Sequence, residues 1–378
     1  MKICEITQSK QTLLVEAVGR ELQHIEDLVF IDGSEGALHA VQRLRGVGVN
    51  SKELTIKFDG SPAVKFGRNE QGQFHFGDKH SKEMNLSPED IEAQVMARKY
   101  AGKGEPAVDA DRKRFAQSQS MIWRLYESAT PKDFRGFVSG DLMWASHPKV
   151  EGNEYIVAPN TVQYRIDRNS DLGQQMRVSQ TGIALHFYSP TFEGHGQPIS
   201  SQIISKLGND SVTVMGPKTT ATVNQANVNA TELDTLQSFI ISNSSVIDEY
   251  LAPVTGLSNV SAVVYKYVNS HQNAATPEHF LQWAQETLSA GQFAKLSAKS
   301  TQGLKAIFAV MHSLVKMKVS VIDQLESQTL SSSGIRAVLH KTQVAGGEGL
   351  VLPGSESDNT PPLKFVNRDT FSAANKVR

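Results

Sequence analysis

The chain has 378 residues and a formal net charge of −1, so no global positive field marks a nucleic-acid partner, and any such contact must use a local patch. It is 39% hydrophobic and 20% charged, the profile of a globular protein whose length allows one large domain with an insertion or two domains. A single cysteine, Cys4, excludes a disulfide within the chain and fits a reducing compartment. There is no apolar run of about 18 residues, and polar residues interrupt the N-terminal segment where a signal peptide would be continuously apolar. The chain is therefore expected to be cytoplasmic and off the membrane.

Leu13, Leu14, Ala17, Val18 and Leu22 recur at helical spacing, and residues 37–44 read likewise, so residues 1–50 are expected to form a helical lead-in. Glu26, Asp27, Asp32 and Glu35 in that segment read as capping and surface charge. Next come LTIKFDG (54–60), SPAVKFGR (61–68) and QFHFG (73–77), short β-rich runs separated by Asp-Gly, Gly-Ser-Pro and Gln-Gly turns. They predict an antiparallel meander. Residues 88–128 return to helix, with Ser87 as N-cap, Pro88 at the first helical position and Glu89, Asp90 and Glu92 in the first turn. Strand patterns resume over 134–144, 155–166 and 182–189. Residues 196–232 are rich in Ser, Thr, Asn and Gly, and 276–325 reads as helices opening at Thr276-Pro277. The β pattern returns in 347–353 and 361–366. The expected fold is α+β with a mostly antiparallel sheet, because the strands follow one another too closely for crossover helices. Residues 51–190 and 341–378 form that domain, and 191–340 a mainly helical insertion.

Four strings carry residues suited to chemistry. Lys57-Phe58-Asp59-Gly60 ends one strand and opens a turn. A lysine amine becomes a nucleophile once desolvation or nearby cations lower its pKa, and the end of a strand in a cleft supplies such a place. Asp59 can bond the turn backbone or a substrate, and Gly60 is expected to permit positive φ. The same Asp-Gly step is also ordinary hairpin punctuation. Residues 137–142 (FVSGDL) carry Asp141 on a strand, 345–352 (AGGEGLVL) set Glu348 between glycines, and 362–366 (PLKFV) carry Lys364. Together they offer an amine, two carboxylates for a ribose hydroxyl or hydrated cation, and a second cation, the set nucleotidyl transfer requires.

In this order the strings resemble motifs I (KFDG), III (FVSGDL), IIIa (ALHFYS), IV (GEGLVL) and V (PLKF) of the covalent lysine nucleotidyltransferase superfamily of DNA ligases, RNA ligases and mRNA-capping enzymes. The resemblance spans about 54 to 366 and leaves the insertion unmatched. It implies an antiparallel-sheet, ATP-grasp-like ligase domain in which Lys57 takes AMP from ATP with Mg²⁺ assisting. It also implies that Asp59 and Lys364 serve catalysis, that Lys364 touches the α-phosphate and that Phe187 or Tyr188 stacks on the base. Asp141 would contact ribose or metal, and Glu348 the metal shell. Thr55, Ile56, Gly60 and Lys79 complete the implied nucleotide-binding set. KFDGS is more similar to some RNA ligases than to DNA ligases. The implied partner is therefore nucleic acid with a 5′-phosphate and a 3′-hydroxyl, RNA in preference to DNA. Residues 24–30 followed by 54–67 also resemble uncharacterised proteins of large tailed bacteriophages, for which the compartment would be host cytoplasm.

Two positions depart from the family pattern. Asp141 stands where Glu is usual, one methylene shorter. Lys364 is followed by Phe365-Val366 where a second lysine is usual, so either the other lysine of the pair is missing or Arg368 or Lys79 substitutes. The chain ends soon after motif V, so no following OB-fold is expected. The resemblance also leaves room for another acceptor, as in capping or in nucleotidylation of a protein or small molecule, and for a non-catalytic phage binding or assembly protein on the same fold. Lys65 and Arg68 could bind phosphate or form a solvated strand face. Arg98, Lys99, Lys103, Arg112, Lys113 and Arg114 make a local basic stretch. Lys295, Lys299, Lys305, Lys316 and Lys318 could present a substrate surface on the insertion, or an ordinary polar face. No HExxH string supports a zinc site, and no Gly-rich phosphate loop opens a helix.

Overall fold

Caps read from the sequence start the helices. Ser87 Oγ accepts from Asp90 N, and the Asp90 carboxylate accepts from Ser87 N at 2.9 Å, with Pro88 opening the Pro88–Met96 helix. Thr276 Oγ1 likewise accepts from His279 N to open Pro277–Thr287. The computed structural model describes residues 23–56, 58–98, 106–194, 196–219, 225–271, 274–339, 344–345, 349–354 and 362–368. Of the helix expected over residues 10–24, residues 10–22 lie outside them, and the end of that expectation is corrected, since Gln23–His24 is a strand paired with Leu363–Lys364. The fold is α+β with sheets rich in antiparallel pairs. The chain forms two units, one of residues 1–55, 219–328 and 349–376, the other of 56–218, 329–348 and 377–378. The strand Val212–Met215, within the stretch read as the start of the insertion, runs parallel to Thr181–Ala184 in the second unit.

In that second unit, one sheet orders its strands as Gln197–Pro198, Thr181–Ser189, Gly136–Trp144, Ala63–Arg68 and Phe74–Asp78, all antiparallel. The expected three-run meander is thus corrected. The second and third runs pair with each other, but Thr55–Ile56 belongs to a different sheet. The partner of Ala63–Arg68 on its other edge is the strand Gly136–Trp144, which comes after both helices. Short runs do not encode their neighbours, so order alone suggested the wrong one. The helices Pro88–Met96 and Pro106–Ser128 supply Ile91, Val95, Trp123 and Tyr126 to a core shared with Phe66, Phe74 and Phe76. Tyr126 meets the Phe66 ring edge-on at 4.9 Å. A second antiparallel sheet joins Val344–Ala345, Ile335–Leu339, Val162–Asp167, Glu154–Val157 and Lys149–Glu151.

The first unit is mainly helical: Leu28–Val49, Ala230–Leu251, Val260–His271, Pro277–Thr287, Ala290–Ser297 and most of Thr301–Ser332. Leu28–Val49 is broken at Asp32 and Gly33, where Gly33 takes φ 59°. Past the break, Asp248 accepts from Ser34 N at 2.8 Å and from Ser34 Oγ at 2.7 Å, capping the renewed helix. Its small sheet sets Gln23–His24 parallel to Leu363–Phe365, which pairs antiparallel with Leu350–Leu352.

Glu26 and Asp27 correct the reading as surface charge, because both are buried. Lys318 Nζ lies 2.6 Å from Glu26, and Arg368 pairs with both carboxylates. Burial pushes Asp27 up to about 6 against the pull of Arg368. Partners some 300 residues away make buried charge tolerable, and local sequence cannot show them. Two of the five insertion lysines are committed inward as well. Besides Lys318, Lys299 donates to the carbonyls of Glu249 and Ala252. Among the described residues, no helix is long and apolar enough to cross a membrane.

Candidate active site

A cleft of about 520 Å³ opens in the second unit. One wall is the turn from Asp59 to Ala63, another is the 78–80 turn, a third is formed by Val95, Arg98, Asp111, Arg112 and Phe115, and Asp141 completes the lining. Four residues of the implied nucleotide site therefore meet there, Asp59, Gly60, Lys79 and Asp141, together with Arg98 and Arg112 of the local basic stretch. The first turn is tied to the strand of Asp141, since Ser61 N donates to Leu142 O at 2.9 Å and Leu142 N to Pro62 O at 3.0 Å. Gly60 is needed for this approach. A Cβ there would lie 2.4 Å from Leu142 O. Its φ is not among the positive values found at the described glycines, so the expected reason for this glycine is corrected from backbone dihedral to close packing. Asp59 N donates to the Tyr164 hydroxyl at 3.0 Å, and Asn160 Nδ2 donates to its carboxylate. Phe58 packs on the Tyr164 ring at 5.6 Å.

Asp141 stands opposite Ala63 on one side and Ala184 on the other. His186, a residue the sequence reading passed over, places Nε2 3.1 Å from Asp141 Oδ2. Phe187 and Tyr188 follow it on the strand, and neither is among the residues lining the cleft. Tyr188 packs against the hydrophobic core, and its hydroxyl donates to Arg135 O at 3.2 Å. Phe187 stands across from Pro198.

The cations near the cleft divide by environment. Lys79 is exposed in the lining. Arg98 makes a two-pronged pair with buried Asp78 at 2.6 and 2.7 Å, and Asp78 Oδ1 also accepts from His80 N at 3.0 Å, which fixes the turn that carries Lys79. Arg68 is no phosphate ligand or solvated face. It is buried and donates to the carbonyls of Thr130, Pro131, Gly72 and Glu127. Lys65 donates to Phe192 O at 2.7 Å, and burial lowers its pKa. Of the two substitutes for a second motif V lysine, Arg368 is committed to Asp27 and Glu26, whereas Lys79 faces the cleft.

Lys57 and Glu348 lie outside the described residues. Ile56 is buried at the start of the second unit, two positions before Phe58. Thr55 and Lys364 belong to the first unit, where Thr55 Oγ1 donates to Val351 O at 3.4 Å and Lys364 stands beside Val351 and His24 in the small sheet.

A model of a family of unknown function, DUF6267, matches residues 20–102 and 116–290. No curated protein and no solved structure matches the chain. The protein belongs to the DUF6267 family.

Proposed function

We propose that this DUF6267 member is an ATP-dependent polynucleotide ligase, with RNA ends as its preferred substrate, acting through AMP carried on Lys57. The observation that supports it most is convergence. Asp59 and Gly60, Lys79, and Asp141 come from three separated segments and line one cleft, two residues along the chain from Lys57. The order of the five motif-like strings agrees with this reading.

Lys57 Nζ, once deprotonated, attacks the α-phosphorus of ATP. A nitrogen–phosphorus bond forms as the bond to pyrophosphate breaks. AMP then passes to a 5′-phosphate, which frees the amine, and a 3′-hydroxyl displaces AMP to form the phosphodiester and loses its proton. The cleft chemistry suits ATP and Mg²⁺: Asp59 and Asp141 supply hard carboxylate oxygens and Lys79 a cation. Asp141 would take the ribose or, with Glu348, the metal shell. Bound Mg²⁺ supplies neutralisation of phosphate charge. Lys79 orients the polyphosphate from a turn that Asp78 and Arg98 hold still.

The test is incubation with α-³²P-labelled ATP, and separately GTP, with Mg²⁺, then denaturing electrophoresis. A band from ATP that survives base, is lost in acid and is missing in Lys57→Ala is expected. Sealing of nicked or single-stranded RNA more readily than DNA should accompany it. Folded protein that carries no AMP beforehand and takes no label would sink the reading.

A further inference from the structure

The strand Thr181–Ser189 carries a one-residue irregularity at the position that matters for Asp141. From Phe137↔Ser189 to Ser139↔Phe187 the pairing is regular, and then Gly140 pairs with Leu185 and Asp141 with Ala184. His186 is the extra residue of this β-bulge. Its backbone oxygen is taken up from the other side by Ile199 N at 3.2 Å.

The slip decides which side chains share a face. Residues directly opposite in an antiparallel pair point the same way, and a shift of one flips the whole set. In unbroken register Asp141 would face Leu185, and His186 would point to the other side of the sheet. With the bulge Asp141 faces Ala184, and His186 becomes its diagonal neighbour. The same irregularity breaks the core alternation: Ile183 and Leu185 are in the core, and Tyr188, three residues on, is the next to pack against it. Close contact of the two strands is built in, since a Cβ on Gly140 would lie 2.1 Å from Ala184 O.

The outcome is a half-buried carboxylate with one oxygen held and one to spare. Oδ2 meets His186 Nε2, and the described residues give Oδ1 no hydrogen bond. Asp141 lines the cleft and His186 is not among its lining residues. A single acceptor atom matches a single hydroxyl donor, whereas a hydrated Mg²⁺ draws on several oxygens at once. The pair also accounts for Asp in place of Glu at this position, because the bulge brings a second side chain to aim the shorter one.

We propose that His186 is a positioning residue that holds Asp141 so that its free oxygen accepts a ribose hydroxyl of the bound nucleotide. This rests on the nucleotide-binding reading of the cleft. It chooses ribose over metal for Asp141.

The experiment is calorimetric titration of the Lys57→Ala protein, in which no transfer can proceed, with ATP, 2′-deoxy-ATP and 3′-deoxy-ATP, each with Mg²⁺ and with EDTA. His186→Phe should weaken ATP about tenfold and leave unchanged the deoxynucleotide that lacks the recognised hydroxyl, and His186→Gln should recover most of the loss. The His186→Phe effect should persist in EDTA. Equal weakening of all three nucleotides would make His186 merely structural and overturn the proposal. So would no change, failure of His186→Gln to recover binding, an effect that vanishes in EDTA, or failure of the Lys57→Ala protein, shown folded by thermal melting, to bind ATP. Ribose discrimination without Lys57 labelling in the native protein would instead sink the ligase reading and keep the pair. Labelling with no His186 effect would do the reverse.

Discussion

Acidification is expected to destabilise the unit that holds the cleft, with His75 setting much of the slope. His75 is fully buried on the Phe74–Asp78 strand. Its Nδ1 accepts from Asn85 N at 2.8 Å, so the ring proton sits on Nε2, among the rings of Phe137 and Phe192 at 6.2 and 4.8 Å. Protonating Nδ1 would remove the acceptor for Asn85 and bury a charge beside Lys65. Burial, with the charge of Lys65, lowers the His75 pKa from 6.5 to about 3, and Asp78 opposes the shift. Between those values the unfolded chain binds a proton that the folded one refuses. Stability is therefore complete above pH 6.5 and falls as pH drops towards 3, by about 1.4 kcal/mol per unit. Two units down, at pH 4.5, this group alone removes about 2 kcal/mol. His75→Gln keeps an acceptor for Asn85 and has no such proton. Urea unfolding followed by Trp123 and Trp144 fluorescence, in a Trp283→Phe background that silences the other unit, measures the difference. The parent should lose about 2 kcal/mol more than His75→Gln between pH 6.5 and 4.5. Parallel losses in the two proteins would refute the buried neutral imidazole.

The same unfolding assay checks two further expectations. Arg68→Met should cost about 2 to 4 kcal/mol, because it strips four carbonyls of a charged donor in a buried place; a phosphate ligand on a solvated strand would leave stability nearly unchanged. Ser87→Ala should cost about 1 kcal/mol through loss of the N-cap, and Ser87→Asp should restore most of it.

Local rules were enough where the physics is local. Ser87-Pro88 and Thr276-Pro277 mark helix starts because a hydroxyl finds backbone N–H groups two or three residues on, and proline's missing N–H costs nothing in a first turn. The strands over 136–144 and 181–189 are legible because apolar and turn residues report extended backbone directly. That Asp59, Gly60, Lys79 and Asp141 belonged together was an expectation from motif order, and their shared cleft needed the sheet to form. Other questions had no local answer. Arg68 and Lys79 look alike in sequence, but one is spent on buried carbonyls and the other faces the cleft, since the loop around Thr130 closes over only one of them. Glu26 and Asp27 resemble surface charge until Lys318 and Arg368 arrive from the far end of the chain. His186 shows the limit most plainly. A period of two predicts the face of every residue on its strand, and a single bulge, set by the partner strand, reverses that prediction and turns the imidazole towards Asp141.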